Sequence, residues 1–336
     1  MIAIQRNNGI DFTKGFLVIV MVAYHTLNYF VEGYPLVIYG YVYYVAQSFV
    51  FYSGFICGTI YFAKIHNDRR YVYSRLIIRS FKLIALFFIV NIIINLLFTR
   101  NYNGQEFGID LIFNNLYSIF FIGGGAFMAF DILLPIAYVL LISVLLLKLH
   151  TFKYIFYTLL ILLYCILSFS DIKLTYNVSY TLMGIGGVYS GIIYKDNASI
   201  LNKRLIRYAC TSLLVLYLVI LIPSGINVRG NYILLFLYVN LIIANLYMLG
   251  TYLNPSNMIT KNIITFGQYS LYLYLAQIFI LQILYRIVDF KSSSVTVEHC
   301  FVFILINLLL ILCCYATDIM RNKISLIDKA YRLIFS

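Results

Sequence analysis

GIDFTKGFLVIVMVAYHTLNYF, residues 9–30, is the stretch on which the fold class turns. From Gly15 to Val31 no residue carries a formal charge at neutral pH, and FLVIVMVAY is apolar without a break. At 1.5 Å rise per residue, such a run carries a helix across most of a hydrocarbon layer of about 30 Å. Working outward, similar runs recur at about 36–63, 77–98, 126–147, 152–169, 178–194, 207–223, 231–250, 263–288 and 300–318. The whole chain of 336 residues is 63% hydrophobic and only 11% charged, with a mean hydropathy of +0.92. A soluble domain is about 45–50% apolar and about 25% charged, so a water-facing surface cannot be assembled from these residues. A cytosolic enzyme, a secreted domain and a disordered chain are excluded. The expected fold is all-α: one polytopic membrane domain over residues 1–336, about ten transmembrane helices, no fused soluble domain. Segment 107–122 is too polar in its middle to span and is expected to be re-entrant or interfacial.

The charge of +12, from 24 Lys and Arg against 12 Asp and Glu, has its origin in topology rather than in a nucleic-acid partner. With the N-terminus inside, nineteen of the basic residues fall in or beside the inner loops and five outside. Cytoplasmic loops of membrane proteins concentrate Lys and Arg, so both termini are expected in the cytoplasm. Trp is absent, and 33 Tyr are available for the interfacial belts that meet lipid headgroups. The six cysteines form no CxxC pair and no zinc spacing, and there is no P-loop or HExxH. No metal is expected, nor ATP hydrolysis. Nothing in the sequence sets an oligomeric state.

Polar residues inside spans are costly and mark functional positions. On a helical projection, Lys14 and His25 lie within about 20° of one another and about 16 Å apart along the axis. Asp11 and Glu32 fall close to the same line, giving one stripe of Asp11, Lys14, His25 and Glu32 on an apolar helix. The bland alternative is a histidine satisfied by packing. In the third run, RRYVYSRLIIRSFK, the residues Arg75, Arg79 and Lys82 share a face at i, i+4 and i+7. Arg69 and Arg70 suit ordinary lipid-phosphate contact, whereas Arg79 and Lys82 reach into apolar sequence and call for an anionic partner such as a phosphate. Asp131 sits early in the fourth run, suited either to ion pairing or to holding an acceptor. Gly184, Gly187 and Gly191 have the small-residue spacing of helix packing. His66, His150 and His299 are assigned no role.

Several of these segments together resemble the acyltransferase 3 family of membrane acyltransferases. GIDFTKGFLVIVMVAYHTLNYF is similar to its opening helix, in which an Asp precedes a basic residue, with His eleven residues beyond; here these are Asp11, Lys14 and His25, with Lys in place of the usual Arg. SFVFYSGFICG (48–58) resembles its second helix and RRYVYSRLIIRSFKL its third. GQYSLYLYLAQ (267–277) resembles a late helix in which His commonly occupies the position of Gln277. FDILLPIAYVLL looks like the glucan succinyltransferase branch.

The resemblance implies transfer of an acyl group, usually acetyl, from cytoplasmic acyl-CoA to a hydroxyl of a cell-surface or lipid-linked glycan, in the bacterial cytoplasmic (inner) membrane. On that reading Lys14, Arg75, Arg79 and Lys82 hold the coenzyme phosphates. His25 is the base or acyl carrier, Asp11 orients Lys14 or a nearby arginine, and Glu32 and Asp131 bind the sugar. The competing reading is a flippase or exporter of a lipid-linked saccharide. Paired Pro-broken helices would favour it, but of Pro35, Pro135, Pro223 and Pro255 only Pro135 lies well inside a run.

Overall fold

A computed structural model describes residues 7–32, 40–65, 68–98, 101–102, 105–106, 114–123, 129–170, 172–197, 204–223, 231–288 and 295–335. In chain order the helices are α1 (Asn8–Phe30), α2 (Val45–Ile56, continued by a π-turn at Cys57–Tyr61 and a last turn at Phe62–Ile65), α3 (Arg69–Phe98), α4 (Leu133–Lys148), α5 (Lys153–Phe169) and α6 (Tyr176–Asp196). They continue with α7 (Arg204–Leu216, ending in a π-turn at Tyr217–Leu221), α8 (Tyr232–Tyr252), α9 (Met258–Gln268), α10 (Ser270–Ile287), α11 (Val297–Lys323) and α12 (Ser325–Phe335). Among the described residues the one extended pairing is a two-residue antiparallel ladder, Asn101–Tyr102 with Gln105–Glu106. Each expected run contains helix in its described part, residues 36–39 and 126–128 lying outside the described residues, and among the described residues seven helices are long and apolar enough to cross a membrane. The protein is an all-α polytopic membrane protein. Helices α4, α6, α7, α9 and α12 fall outside the seven: α4 has 16 residues, α6 carries four glycines, α7 breaks into its π-turn, and α9 and α12 have 11 residues each.

One expected span is two helices. The run 263–288 is interrupted at Tyr269, whose backbone (φ −103°, ψ 14°) leaves the helical path between α9 and α10. The Tyr269 hydroxyl bonds Asp318 and accepts from Arg321 Nη1 at 2.9 Å, so its side chain is committed to α11. Of the segment 107–122, residues 114–122 are described. They end in a π-turn, Ser118–Ile122, closed by Gly123 in the left-handed region (φ 73°).

The chain divides into two compact units, Met1–Val45 with Ala209–Ile226 and Asn240–Ser336, and Ala46–Tyr208 with Asn227–Val239. In the first unit α1 packs on α9, α10 and α11. Asn7 caps α1 by accepting from Ile10 N, and Asp11 in the first turn suits the positive end of the helix dipole. The helix ends where Val31 turns extended, and the buried carbonyl of Phe30 is taken by His299 Nε2 at 3.0 Å. His299 Nδ1 meanwhile accepts from Thr296 N, completing the capping box of α11. His299, one of the three histidines without an expected role, is therefore a structural tie between α11 and the end of α1. At the other end, α12 is clamped by Arg321, which pairs with Asp328 at 2.9 Å and lies 4.2 Å from the Tyr331 ring centroid.

The second unit is built on α3 against α4 and α6 against α2. Ser80 donates to the Ala137 carbonyl (2.8 Å) between α3 and α4, and Pro135 is tolerated because it lies in the first turn of α4. Gly184, Gly187 and Gly191 do serve helix packing: a Cβ on Gly187 would lie 1.9 Å from Phe51 O, and one on Gly191 2.4 Å from Phe55 O. Outward, large apolar side chains stay exposed along α3 (Phe81, Ile89, Leu96) and α5 (Ile155, Leu162, Ile166). The same holds in the first unit along α11 (Phe301, Leu308, Leu312). Such surfaces belong against lipid.

Candidate active site

The eight residues singled out in the sequence divide between the units: Asp11, Lys14, His25 and Glu32 in the first, Arg75, Arg79, Lys82 and Asp131 in the second. In the first unit the lower part of α1 is fixed by backbone contact. A Cβ on Gly15 would stand 1.8 Å from Ile263 O, and one on Gly267 would stand 1.7 Å from Asp11 O. This close approach buries Asp11 and holds its carboxylate 4.0 Å from Lys14 Nζ. Thr13 donates to the Gly9 carbonyl (2.8 Å), so it adds no unsatisfied group beside the pair.

Three turns along the helix, His25 is half-buried with its ring edge-on to Tyr24, centroids 5.2 Å apart. Among the described residues nothing hydrogen-bonds its imidazole. The helical face expected for Asp11, Lys14 and His25 is therefore present. Glu32 departs from it: it lies past the end of α1, beyond the extended Val31, and is exposed. The sequence projection assumed that the helix continued.

Tyr29, one turn beyond His25, accepts a hydrogen bond from Gln282 Nε2 and packs edge-on against Tyr285, centroids 5.7 Å apart. These contacts set the register of α1 against α10, and one turn back His25 is level with Gln277 and Ile278. Gln277 is fully buried, and both its Oε1 and its Nε2 are without a hydrogen-bond partner among the described residues. Sequence reading met this position only through the resemblance. A glutamine in an apolar helix gives no sign of whether its amide is satisfied until the neighbouring helices are in place.

In the second unit, Arg79 donates to the Tyr61 hydroxyl at 2.9 Å and Arg75 to the Tyr71 hydroxyl. Both arginines and Lys82 are half-buried, whereas Arg69 and Arg70 are exposed. This is the division that the helical spacing anticipates. The partners of the two arginines are neutral phenols, and among the described residues none of the three cations has an ion pair. Lys148 adds a fourth charge on α4, 5.3 Å from the Tyr73 ring centroid. A guanidinium held by a phenol keeps its remaining N–H groups for an anion. Asp131 stands in the turn before α4, half-buried.

The first patch can thus hold a carboxylate–ammonium pair and an unengaged imidazole on one helix. The second offers half-buried cations whose charge is not cancelled by a carboxylate among the described residues. No family model matches the chain, and neither a characterised protein nor a solved structure matches it.

Proposed function

We propose that this chain is a membrane-bound O-acyltransferase, with ten spans and both termini in the cytoplasm of a bacterium, moving an acyl group, most simply acetyl, from acyl-CoA to a glycan or lipid-linked saccharide. The observation that carries the reading is the imidazole of His25. It has no hydrogen-bond partner among the described residues, yet shares a helix face with the Asp11–Lys14 pair about 16 Å away. A packing histidine in an apolar span would have both ring nitrogens engaged, as His299 has.

The acceptor hydroxyl gives its proton to the imidazole as its oxygen bonds to the thioester carbonyl carbon. The C–S bond then breaks, and the coenzyme leaves as a thiolate that takes the proton back from the imidazolium. If His25 first carries the acyl group itself, a bond from its ring nitrogen to the carbonyl carbon forms as the C–S bond breaks; that N–C bond then breaks as the acceptor oxygen bonds to the same carbon, and the hydroxyl proton ends on the coenzyme thiolate. Within the second unit, the face of Arg75, Arg79 and Lys82 suits the phosphates of the donor and Asp131 a sugar hydroxyl; within the first, Asp11 orients Lys14, and Glu32 is the carboxylate for a sugar hydroxyl. Purified protein incubated with radiolabelled acetyl-CoA should release coenzyme A thiol and pass label to a glycan acceptor. Intact acetyl-CoA after prolonged incubation with membrane glycolipids present would sink the reading.

The donor patch makes its own prediction. Neutralising Arg75, Arg79 or Lys82 to Gln should each weaken acetyl-CoA binding by about 1.5–3 kcal/mol, the range for a charge-assisted hydrogen bond. Neutralising Arg69 or Arg70, which are exposed, should change it little. Equal losses at all five positions in a binding titration would reduce the patch to general positive-inside charge.

The orientation is tested separately. In a background lacking the six native cysteines, Lys173→Cys should react with an impermeant thiol reagent on intact cells, and Ser256→Cys only after lysis. The reverse pattern would put the basic face outside, where no acyl-CoA is present.

A further inference from the structure

In the second unit, away from the residues assigned above, four buried polar side chains lie near the starts of α2 and α6, on the faces through which these helices pack. The two helices run side by side in the same direction, with backbone against backbone. A Cβ on Gly54 would lie 2.0 Å from Gly184 O, one on Gly187 would lie 1.9 Å from Phe51 O, and one on Gly58 would lie 2.1 Å from Val188 O. Contacts this close fix the register. Carried one turn toward the helix starts, that register sets Gln47 and Ser48 level with Tyr180 and Thr181, with Asn177 one further turn along the same face of α6.

Gln47, Ser48, Asn177 and Thr181 are 2%, 0%, 2% and 9% exposed. Gln47 Oε1, Ser48 Oγ, Asn177 Oδ1 and Thr181 Oγ1 have no hydrogen-bond partner among the described residues. For the two hydroxyls this is unusual, because a helical Ser or Thr can bond the carbonyl four residues back. Thr13, Thr26, Ser53, Thr59, Ser143 and Ser168 all do so in this protein. Ser48 and Thr181 have that escape and do not take it. The Asn177 amide is also fixed in sense, since its Nδ2 donates to the Ile119 and Phe120 carbonyls at 2.8 and 2.9 Å, leaving its oxygen as the unfilled end. Buried polar atoms without partners are costly, and a cluster of them marks a place where a polar occupant belongs.

The chemistry of the four atoms describes that occupant. Two are amide oxygens, which only accept, and two are hydroxyls, which accept or donate. None is charged, so the set asks for a neutral ligand rich in O–H donors rather than a phosphate or carboxylate. Tyr176 and Tyr180, on the same turns of α6, lie against one another with ring centroids 3.9 Å apart and planes tilted by 32°, and supply an apolar wall of the kind that suits a pyranose face.

We propose that this corner of the α2–α6 pair is a saccharide-binding site. The binding claim stands by itself. Only the naming of that saccharide as the acyl acceptor rests on the acyltransferase reading.

The full chain in lipid nanodiscs is compared with the Ser48→Ala/Thr181→Val double variant, which removes both unfilled hydroxyls with little change of shape. The probes are the methyl glycosides of glucose, galactose, rhamnose and N-acetylglucosamine. Without a probe, the variant should melt a few degrees above wild type, because two orphaned hydroxyls are gone. Wild type should bind at least one glycoside saturably, and the variant should bind it at least about tenfold more weakly, which corresponds to about 1.4 kcal/mol. A variant that melts below wild type would show that the hydroxyls are satisfied internally, by water or protein, and would overturn the proposal. Absence of saturable binding by wild type, or equal binding by the variant, would overturn it too. Acetyl-CoA titration of both proteins, outside this corner, should give the same affinity. If acetyl-CoA does not bind at all while the glycoside does, the acyltransferase reading fails and the saccharide site stands.

Discussion

Gly15→Ala should cost the first unit its packing. The added Cβ would stand 1.8 Å from the Ile263 carbonyl oxygen and 2.9 Å from Gly267 N. Both are backbone atoms that no rotamer change can move. Relief requires α1 and α9 to separate along their whole contact, which also opens the seat of Asp11 and Lys14. We expect a loss of about 4–5 kcal/mol or more, the range reached by severe overpacking and backbone clash. It would be seen as a large drop in melting temperature and in monodisperse protein after detergent extraction. Gly40→Ala is the control: there the nearest neighbour of the added Cβ is the Ile222 Cγ2 methyl at 3.1 Å, a side-chain atom that can give way. A Gly15→Ala protein that melts with wild type would mean that α1 and α9 are not in backbone contact.

His25→Ala should have the largest effect on activity with the least on stability. General acid–base participation is worth about a hundred- to ten-thousandfold in rate, so transfer should fall to a few per cent of wild type or below. The ring makes no hydrogen bond among the described residues, so its removal leaves no protein group orphaned, and melting should stay close to wild type. A stably inserted variant that still transfers acyl groups at a substantial rate would take His25 out of the mechanism. A variant that fails to fold would assign the ring a packing role. His25→Gln, which keeps most of the volume, then separates loss of the base from loss of the ring.

What could be read from the sequence follows from which interactions are local. The helical runs were legible because lipid imposes one strong requirement, unbroken backbone hydrogen bonding through an apolar layer, and composition reports it directly. The common face of Asp11, Lys14 and His25, and the contrast of Arg75, Arg79 and Lys82 with Arg69 and Arg70, were legible because helical spacing alone sets them. The break at Tyr269 was not, since it depends on Asp318 and Arg321 some fifty residues later. The place of Glu32 was misjudged because α1 stops at Phe30, where His299 of another helix takes the last carbonyl. The unfilled amide of Gln277 and the quartet of Gln47, Ser48, Asn177 and Thr181 were invisible for a related reason. Whether a polar group is satisfied is a property of its neighbours, and only the close α2–α6 register brings those four together.

That register has a consequence for how the gene can vary. Every amino-acid change reachable by one base from a glycine codon introduces at least a Cβ. At Gly54, Gly58, Gly187 and Gly191 that atom would fall within 2.4 Å of a carbonyl oxygen of the opposing helix. No single mutational step out of these codons, other than a silent one, keeps the two helices at their present distance. Two steps taken together do not help either, since a second side chain only widens the gap. In a deep mutational scan these four positions should accept glycine alone, while variation accumulates freely on the lipid-facing sides of the same helices.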